Sequence, residues 1–334
     1  MAAKDAPTGA KSSGGRSSAE SGAKTGSRTG ADAGARASVR VGRRTVEVSR
    51  PGKLLFPDDG ITKADLVDYY RTVAPRMLPH LRGRPLMLER HPDGIDAGGF
   101  MQKDLPEYFP DWVHHTELPK SDGKVTYTIC DDAATLAYLA SQACITPHRF
   151  LSRADRPDHP DRLVFDLDPA GDDFAPVREA ARELHRLLDE VGLPSAVMTT
   201  GSRGLHVLVP LDRRAAFDDV RAFARDLAEL LASRHPDTLT TEARKKARRG
   251  RLYLDIQRNA YAQTAVVPFA VRARPGAPVA APVSWADVES PDLTPGHRRL
   301  ADVDALLRDD PWHDAPLRGR SLGPAHRRLA SLRA

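Results

Sequence analysis

Apolar residues recur along this chain at two spacings, every second residue and every third or fourth, and the two alternate irregularly. Val46 and Val48 alternate with polar neighbours as a strand does. "KADLVDYYRTVAP" then carries helical spacing to about Ala74, with Thr62 as N-cap and Asp65 at the capping-box position. Short strands are predicted around "PLMLERHP" and "TYTICD", followed by a helix over "DAATLAYLASQA" that stops before Pro147. "LVFDLDP" reads as a strand closed by Pro169. In the next stretch Val177, Ala180, Leu184, Leu187 and Val191 share one helical face, and Gly192 and Pro194 end it. "SAVMTTGSRGLHVLVPL" reads as strand, Gly-rich turn, strand, and a helix with Val220, Phe223, Leu227 and Leu230 on one side follows. A basic run, "EARKKARRGR", leads into the strand "LYLDIQ" and then an extended, Pro-rich segment. No internal repeat is visible. Strands and helices mix without strict βαβ alternation, which predicts an α+β fold with a largely antiparallel central sheet flanked by helices.

Composition changes this picture at the two ends. Residues 1–40 are mostly Ala, Gly, Ser and Thr with scattered Lys and Arg, too polar to bury a core, and are expected to be a disordered basic tail. Residues 41–310 hold the periodic elements and are expected to form one catalytic-sized domain. Residues 311–334 are expected to be a loose basic tail. The formal charge of +5 permits a polyanionic partner. The two cysteines, Cys130 and Cys144, form no CxxC pair, so neither a zinc site nor a disulfide framework is indicated. No run is long enough to span a membrane and no apolar signal core opens the chain, so a cytoplasmic protein is the expectation.

The chemistry starts at "LVFDLDP". Asp166 and Asp168 project from the same strand face, while Phe165 and Leu167 project from the other. Adjacent carboxylates repel, and a hard divalent cation such as Mg²⁺ or Mn²⁺ relieves that. A solvated strand end with two ordinary surface acids is the competing explanation. In "TTGSRGLHVLVPL", Gly201 and Gly204 allow a sharp turn with exposed N–H groups. Thr200, Ser202 and Arg203 add donors suited to phosphate oxygens, and His206 begins the next strand on its non-core face. An ordinary hairpin with a surface His fits the same residues. Asp255 in "LYLDIQ" is a third acid opposite an apolar strand face. Three acids on strands beside a donor loop suit two shared metal ions in phosphoryl transfer.

Taken in order, "VFDLDP", "TTGSRGLHVLVPL" and "LYLDIQRNAYAQTAVVPFAVRARPGAPVAAPVSW" resemble the three motifs of the archaeo-eukaryotic primase superfamily. Within it they resemble the polymerase-domain family of bacterial ligase D, and the similarity extends over roughly residues 45–310, including "PGKLLFPDDGITKADLVDYY" and "ACITPHRFLSRADRPDHPDRLVFDLDP".

The resemblance implies a primase-polymerase fold with an RRM-like catalytic core, and a template-directed nucleotidyltransferase that fills short gaps at DNA breaks in non-homologous end joining. It assigns Asp166, Asp168 and Asp255 to a two-metal site for Mn²⁺ or Mg²⁺, with Asp255 also activating the primer hydroxyl. Thr200, Ser202, Arg203, Gly204 and His206, with Arg272 and Arg248, would hold the triphosphate, and His148 would lie near the sugar, with ribonucleotides preferred. The family's Ser-Gly-Ser-Lys is Thr-Gly-Ser-Arg here, which keeps the hydroxyl and the charge but changes the cation's geometry. Lys53 and Lys63 would bind the 5′-phosphate of the downstream strand. Phe100 falls at a template-stacking position, and Met101 stands where a second aromatic is common. The implied partners are DNA ends and gapped DNA, nucleoside triphosphates, Ku and a separate ATP-dependent DNA ligase. A stand-alone, nucleoid-associated polymerase is expected, since no ligase or nuclease motif is visible.

Two other classes remain. A haloacid-dehalogenase-like phosphohydrolase also uses Asp-x-Asp after an apolar strand, but Ala170 stands where Thr or Val usually follows. A non-catalytic DNA-end binder would be favoured by loss of one carboxylate, and all three are present.

Overall fold

The computed structural model describes residues 34–334 apart from 121, 314, 316 and 317, so most of the expected N-terminal tail lies outside the described residues. Order begins before residue 41. Arg36–Val41 pairs antiparallel with Arg44–Ser49, and Val41, Val46 and Val48 are buried.

A six-stranded sheet forms the centre. Its order is Leu239–Thr240, Leu252–Asp255, Arg162–Asp168, Leu205–Pro210, Ala196–Thr199 and Pro282–Val283. Every neighbouring pair is antiparallel except the outer pair Leu239–Thr240 and Leu252–Asp255. A four-stranded antiparallel sheet runs Thr264–Val266, Cys144–Phe150, Leu86–Arg90 and Phe100–Gln102. The expected α+β, largely antiparallel architecture is present.

Strand alternation separates two cores. Leu163, Phe165 and Leu167 have no exposed surface and pack with Val177, Leu184, Val220 and Phe223 of the helices Ala175–Glu190 and Phe217–Arg234. Val164, on the opposite face, joins the other core with Leu66 and Tyr70 of the helix Lys63–Met77 and Leu136 of Ala133–Ser141. Each such side chain contributes about 1.5–3 kcal/mol on burial. A one-residue slip of Arg162–Asp168 would turn Asp166 and Asp168 into the helical core, so packing fixes the face that carries the acids.

Thr62 caps the first helix in a reciprocal capping box with Asp65. The helix continues through Pro75 to Met77 rather than ending at Ala74, because Met77 is wholly buried and holds the last turn against the core. The C-terminus is also a correction. Leu322–Arg333 is a helix, not a loose tail: Leu322, Ala325 and Leu329 recur at helical spacing and pack into the core with Phe223 and Leu227. Among the described residues no helix is long and apolar enough to cross a membrane.

Candidate active site

The central strands end at a cleft of about 280 Å³ between the two sheets. Asp166, Asp168, Asp255 and His206 come from the six-stranded sheet, and His148 and Val266 from the four-stranded one. Leu167, Thr200, Ser202, Arg203, Gly204, Arg258, Arg272 and Arg274 complete the lining. The sequence motifs therefore meet in one cavity.

Register sets the geometry of the acids. Asp166 is directly opposite His206 on one neighbouring strand and Asp255 on the other. His206 Nε2 lies 3.6 Å from Asp166 Oδ1, and Arg258 Nε lies 3.4 Å from Oδ2. Burial pushes the Asp166 carboxyl up, but His206 and Arg258 outweigh it and leave the group below the ordinary carboxylate range. Asp255 moves the other way: burial and the neighbouring Asp166 charge raise it, against hydrogen bonds from the Gln257 N–H and Tyr253 and the charge of Arg258. Asp168 sits between two guanidiniums, Arg248 Nη1 at 2.8 Å and Arg203 Nη2 at 2.9 Å. Arg248 is itself held over the Tyr253 ring, 4.2 Å from its centroid.

The donor set of three carboxylates suits a hard divalent cation. In this arrangement Asp166 and Asp168 are turned to basic side chains and Asp255 to the Gln257 N–H and the Tyr253 hydroxyl, and among the described residues no three Asp, Glu, His or Cys groups converge tightly enough to hold an ion. Buried His206, whose Nε2 lies beside Asp166, keeps an Nδ1 with no hydrogen-bond partner among the described residues.

The Gly-rich turn is locked from inside. Thr200 Oγ1 accepts hydrogen bonds from the Ser202 and Gly204 N–H groups at 3.3 and 3.2 Å and donates to the Gly204 carbonyl at 3.1 Å. Thr200 thus staples the loop rather than reaching outward. Arg272 Nη1 donates to the Thr200 carbonyl at 2.6 Å, and its Nε is buried without a partner. A Cβ at Gly204 would lie 2.1 Å from the Leu167 carbonyl oxygen, so the turn presses against the backbone between the two aspartates.

The remaining expected residues lie around this centre. Lys53 and Lys63 are brought together: the Lys63 N–H donates to the Lys53 carbonyl at 2.8 Å. Lys53 Nζ is paired with Asp93, and the buried Lys63 Nζ donates to the Ser49 carbonyl at 2.8 Å. Neither lines the cleft. Phe100 is half exposed with the Arg90 guanidinium 5.6 Å from its ring centroid, and Arg90 also donates to the Tyr108 hydroxyl at 2.7 Å. Met101 pairs with Glu89.

Three residues had no motif to announce them. Arg258 counters Asp166. Asn259, wholly buried, takes both backbone groups of Val164, accepting from its N–H at 2.9 Å and donating to its carbonyl at 2.7 Å, and so ties the turn after Asp255 to the Asp-x-Asp strand. Both stand in "LDIQRNAY", where a polar Gln-Arg-Asn run straight after a core strand was the available signal. Glu89 contacts His148 and gave no signal in sequence.

Comparison with known proteins identifies the family. The family model described as LigD, primase-polymerase domain, matches residues 62–312. The multifunctional non-homologous end joining DNA repair protein LigD of Mycobacterium tuberculosis is 35% identical over 272 residues, 79% of this chain and 35% of that protein. The bifunctional non-homologous end joining protein LigD of Bacillus subtilis is 35% identical over 258 residues, 76% of this chain and 41% of that protein. The chain thus spans well under half the length of these relatives. The solved polymerase domain of Mycobacterium tuberculosis ligase D in complex with DNA aligns with a TM-score of 0.75 at 34% identity, covering 80% of this chain and 97% of that one.

Proposed function

This chain belongs to the LigD primase-polymerase domain family, and from that premise we propose that its cleft joins nucleoside triphosphates to the 3′ end of a primer paired with a DNA template, filling short gaps at broken ends. One observation carries the reading: Asp166, Asp168 and Asp255 open on a cavity whose other lining includes Arg203, Arg258, Arg272 and Arg274. Carboxylates beside guanidiniums are the charge layout that phosphoryl transfer to a hydroxyl requires, acid ligands on one side and polyphosphate neutralisation on the other.

Mn²⁺ or Mg²⁺ held by Asp166, Asp168 and Asp255 would supply Lewis acidity at the attacking and leaving oxygens. The protein's own groups do the rest. Ser202, Arg203 and Arg272 bind the triphosphate, and Arg248 and Arg203 exchange Asp168 for phosphate oxygens. Asp255 receives the proton of the primer hydroxyl as its oxygen bonds to the α-phosphorus and pyrophosphate leaves. His148 meets the nucleotide sugar and gives ribonucleotides the advantage. Lys53 and Lys63 hold the 5′-phosphate across the gap, and Phe100 stacks on a template base. By analogy with the end-joining relatives, Ku and an ATP-dependent DNA ligase act at the same ends, in the cytoplasm at the nucleoid.

The test is primer extension across a short gap with Mn²⁺, comparing ribo- with deoxyribonucleotides and a 5′-phosphate with a 5′-hydroxyl. Extension favouring ribonucleotides and the 5′-phosphate is expected. Extension indifferent to the 5′ group keeps the polymerase and removes the end-joining role, and no extension with any nucleotide or metal removes the polymerase.

A further inference from the structure

Behind His148 lies a carboxylate that the catalytic groups do not use. Glu89 stands on Leu86–Arg90, directly opposite Thr146 of the His148 strand. Its Oε2 is 3.3 Å from His148 Nε2 and its Oε1 is 3.3 Å from His91 Nε2. One acid thus holds two imidazoles by their Nε2 atoms. The clamp is braced from behind: a Cβ at Gly99 would lie 2.5 Å from the His91 ring, so only glycine lets the chain pass there before entering Phe100–Gln102.

The protonation states fit this layout. Burial opposes ionisation of Glu89, but hydrogen bonds from His148 and His91 and the charges nearby bring its carboxyl down to about 2. Burial pulls His148 below the usual imidazole range against the opposing pull of Glu89, so at neutral pH the ring is uncharged. An uncharged imidazole beside a carboxylate carries its proton on the nitrogen that faces the acid, here Nε2. Nδ1 is then a bare lone pair. Among the described residues it has no hydrogen-bond partner, and His148 lines the cleft.

We propose that Glu89 is a positioning residue that sets sugar selectivity, by fixing His148 in the Nε2–H tautomer so that Nδ1 accepts a hydrogen bond from a ribose hydroxyl. A deoxyribose presents C–H at that point and leaves the acceptor unmet. The inference rests on the cleft being the nucleotide site. A neutral hydrogen bond at a half-buried site corresponds to about three- to tenfold in affinity. A carboxylate two bonds away from the ligand therefore decides whether the imidazole discriminates at all.

The test measures binding rather than turnover. Affinities for ATP and dATP in Mn²⁺ are compared in the full chain, Glu89→Ala, Glu89→Gln and His148→Ala, and ¹⁵N NMR reads the His148 tautomer. The expected result is an ATP preference of several-fold in the parent that falls towards unity in Glu89→Ala and His148→Ala, with dATP affinity little changed. Glu89→Gln, whose amide oxygen still accepts from Nε2–H, keeps most of the preference. The parent spectrum shows the Nε2–H form, and Glu89→Ala shows a mixture. A parent His148 that is charged or protonated on Nδ1 overturns the proposal even if Glu89→Ala does not fold. So does an unchanged preference in Glu89→Ala, or an equal loss of ATP and dATP, which would make Glu89 a support of the triphosphate site. A parent that binds neither nucleotide sinks the nucleotide reading itself, whereas equal binding of both sinks only the sugar-reading role.

Discussion

Asp166 and Asp255 face each other directly across two antiparallel strands, and the two carboxyls are displaced in opposite directions, Asp166 down and Asp255 up. Like charges at directly opposed positions cost about 0.2–1 kcal/mol, so this pair is under electrostatic strain when both carboxyls are ionised. The lowered Asp166 contributes stability above its unfolded pKa and loses it as pH falls through the folded one. The raised Asp255 contributes below its unfolded pKa and loses that as pH rises through its folded one. At neutral pH, Asp255 is thus the destabilising member. Asp255→Asn keeps an oxygen for the Gln257 N–H, which Asp255 holds at 2.7 Å. It is expected to raise the melting temperature without metal by about 1–3 °C, while removing both the Mn²⁺-induced shift and primer extension. Thermal unfolding with and without Mn²⁺ reads the first two and a primer-extension assay the third, and a variant less stable than its parent at pH 7 without metal would show that the strain is absent.

Arg248 and Arg203 occupy both oxygens of Asp168. A cation entering the cleft competes with them, and a triphosphate gives them somewhere else to go. Arg248→Ala should therefore bind Mn²⁺ more tightly than the parent without nucleotide, by roughly three- to tenfold for one charge-assisted contact. Its KM for nucleotide should rise by a similar or larger factor. Mn²⁺ titration followed by EPR separates the two effects, and weaker metal binding in Arg248→Ala would contradict the exchange.

Gly204 touches the backbone between the two aspartates, its missing Cβ falling 2.1 Å from the Leu167 oxygen. Backbone cannot yield there without moving Asp166 or Asp168. Gly204→Ala is expected to cost about 2–4 kcal/mol and to abolish extension even below its lowered melting temperature. Denaturant unfolding beside primer extension checks this; full activity in a folded variant would mean that the turn is not what holds the acids.

Periodicity and residue chemistry were enough to read the central strands in this chain. Leu163, Phe165 and Leu167 alternate with Val164, Asp166 and Asp168, and that alternation alone turns the two acids away from the core that takes Phe165 and Leu167. Thr62 and Asp65 marked a helix start for the same reason, a local pairing visible in four residues. What sequence could not deliver depends on distant encounters. The Leu322–Arg333 helix looked like a basic tail because its three buried residues become an apolar face only against the Phe217–Arg234 helix. Thr200 looked like an outward phosphate donor because its staple to the Gly204 backbone exists only once the turn has closed. Glu89 and His148 lie 59 residues apart, and nothing local to either announces that one fixes the other.

Lys53 and Lys63 are joined through backbone, yet their side chains differ: Lys53 is matched with Asp93, and Lys63 is buried against the Ser49 carbonyl. The two should therefore fail differently. Lys53→Ala should lose about tenfold in affinity for gapped DNA carrying a 5′-phosphate, with little change for a 5′-hydroxyl and little change in stability, because its partner Asp93 is exposed. Asp93→Asn frees the Lys53 ammonium and should tighten 5′-phosphate binding. Lys63→Ala should weaken 5′-phosphate binding and also lower the melting temperature, since a buried side chain and its bond to the Ser49 carbonyl are lost. Fluorescence anisotropy on paired 5′-phosphate and 5′-hydroxyl substrates distinguishes these outcomes. If Lys53→Ala weakens both substrates equally, Lys53 is a general backbone contact and the 5′-end anchor lies elsewhere.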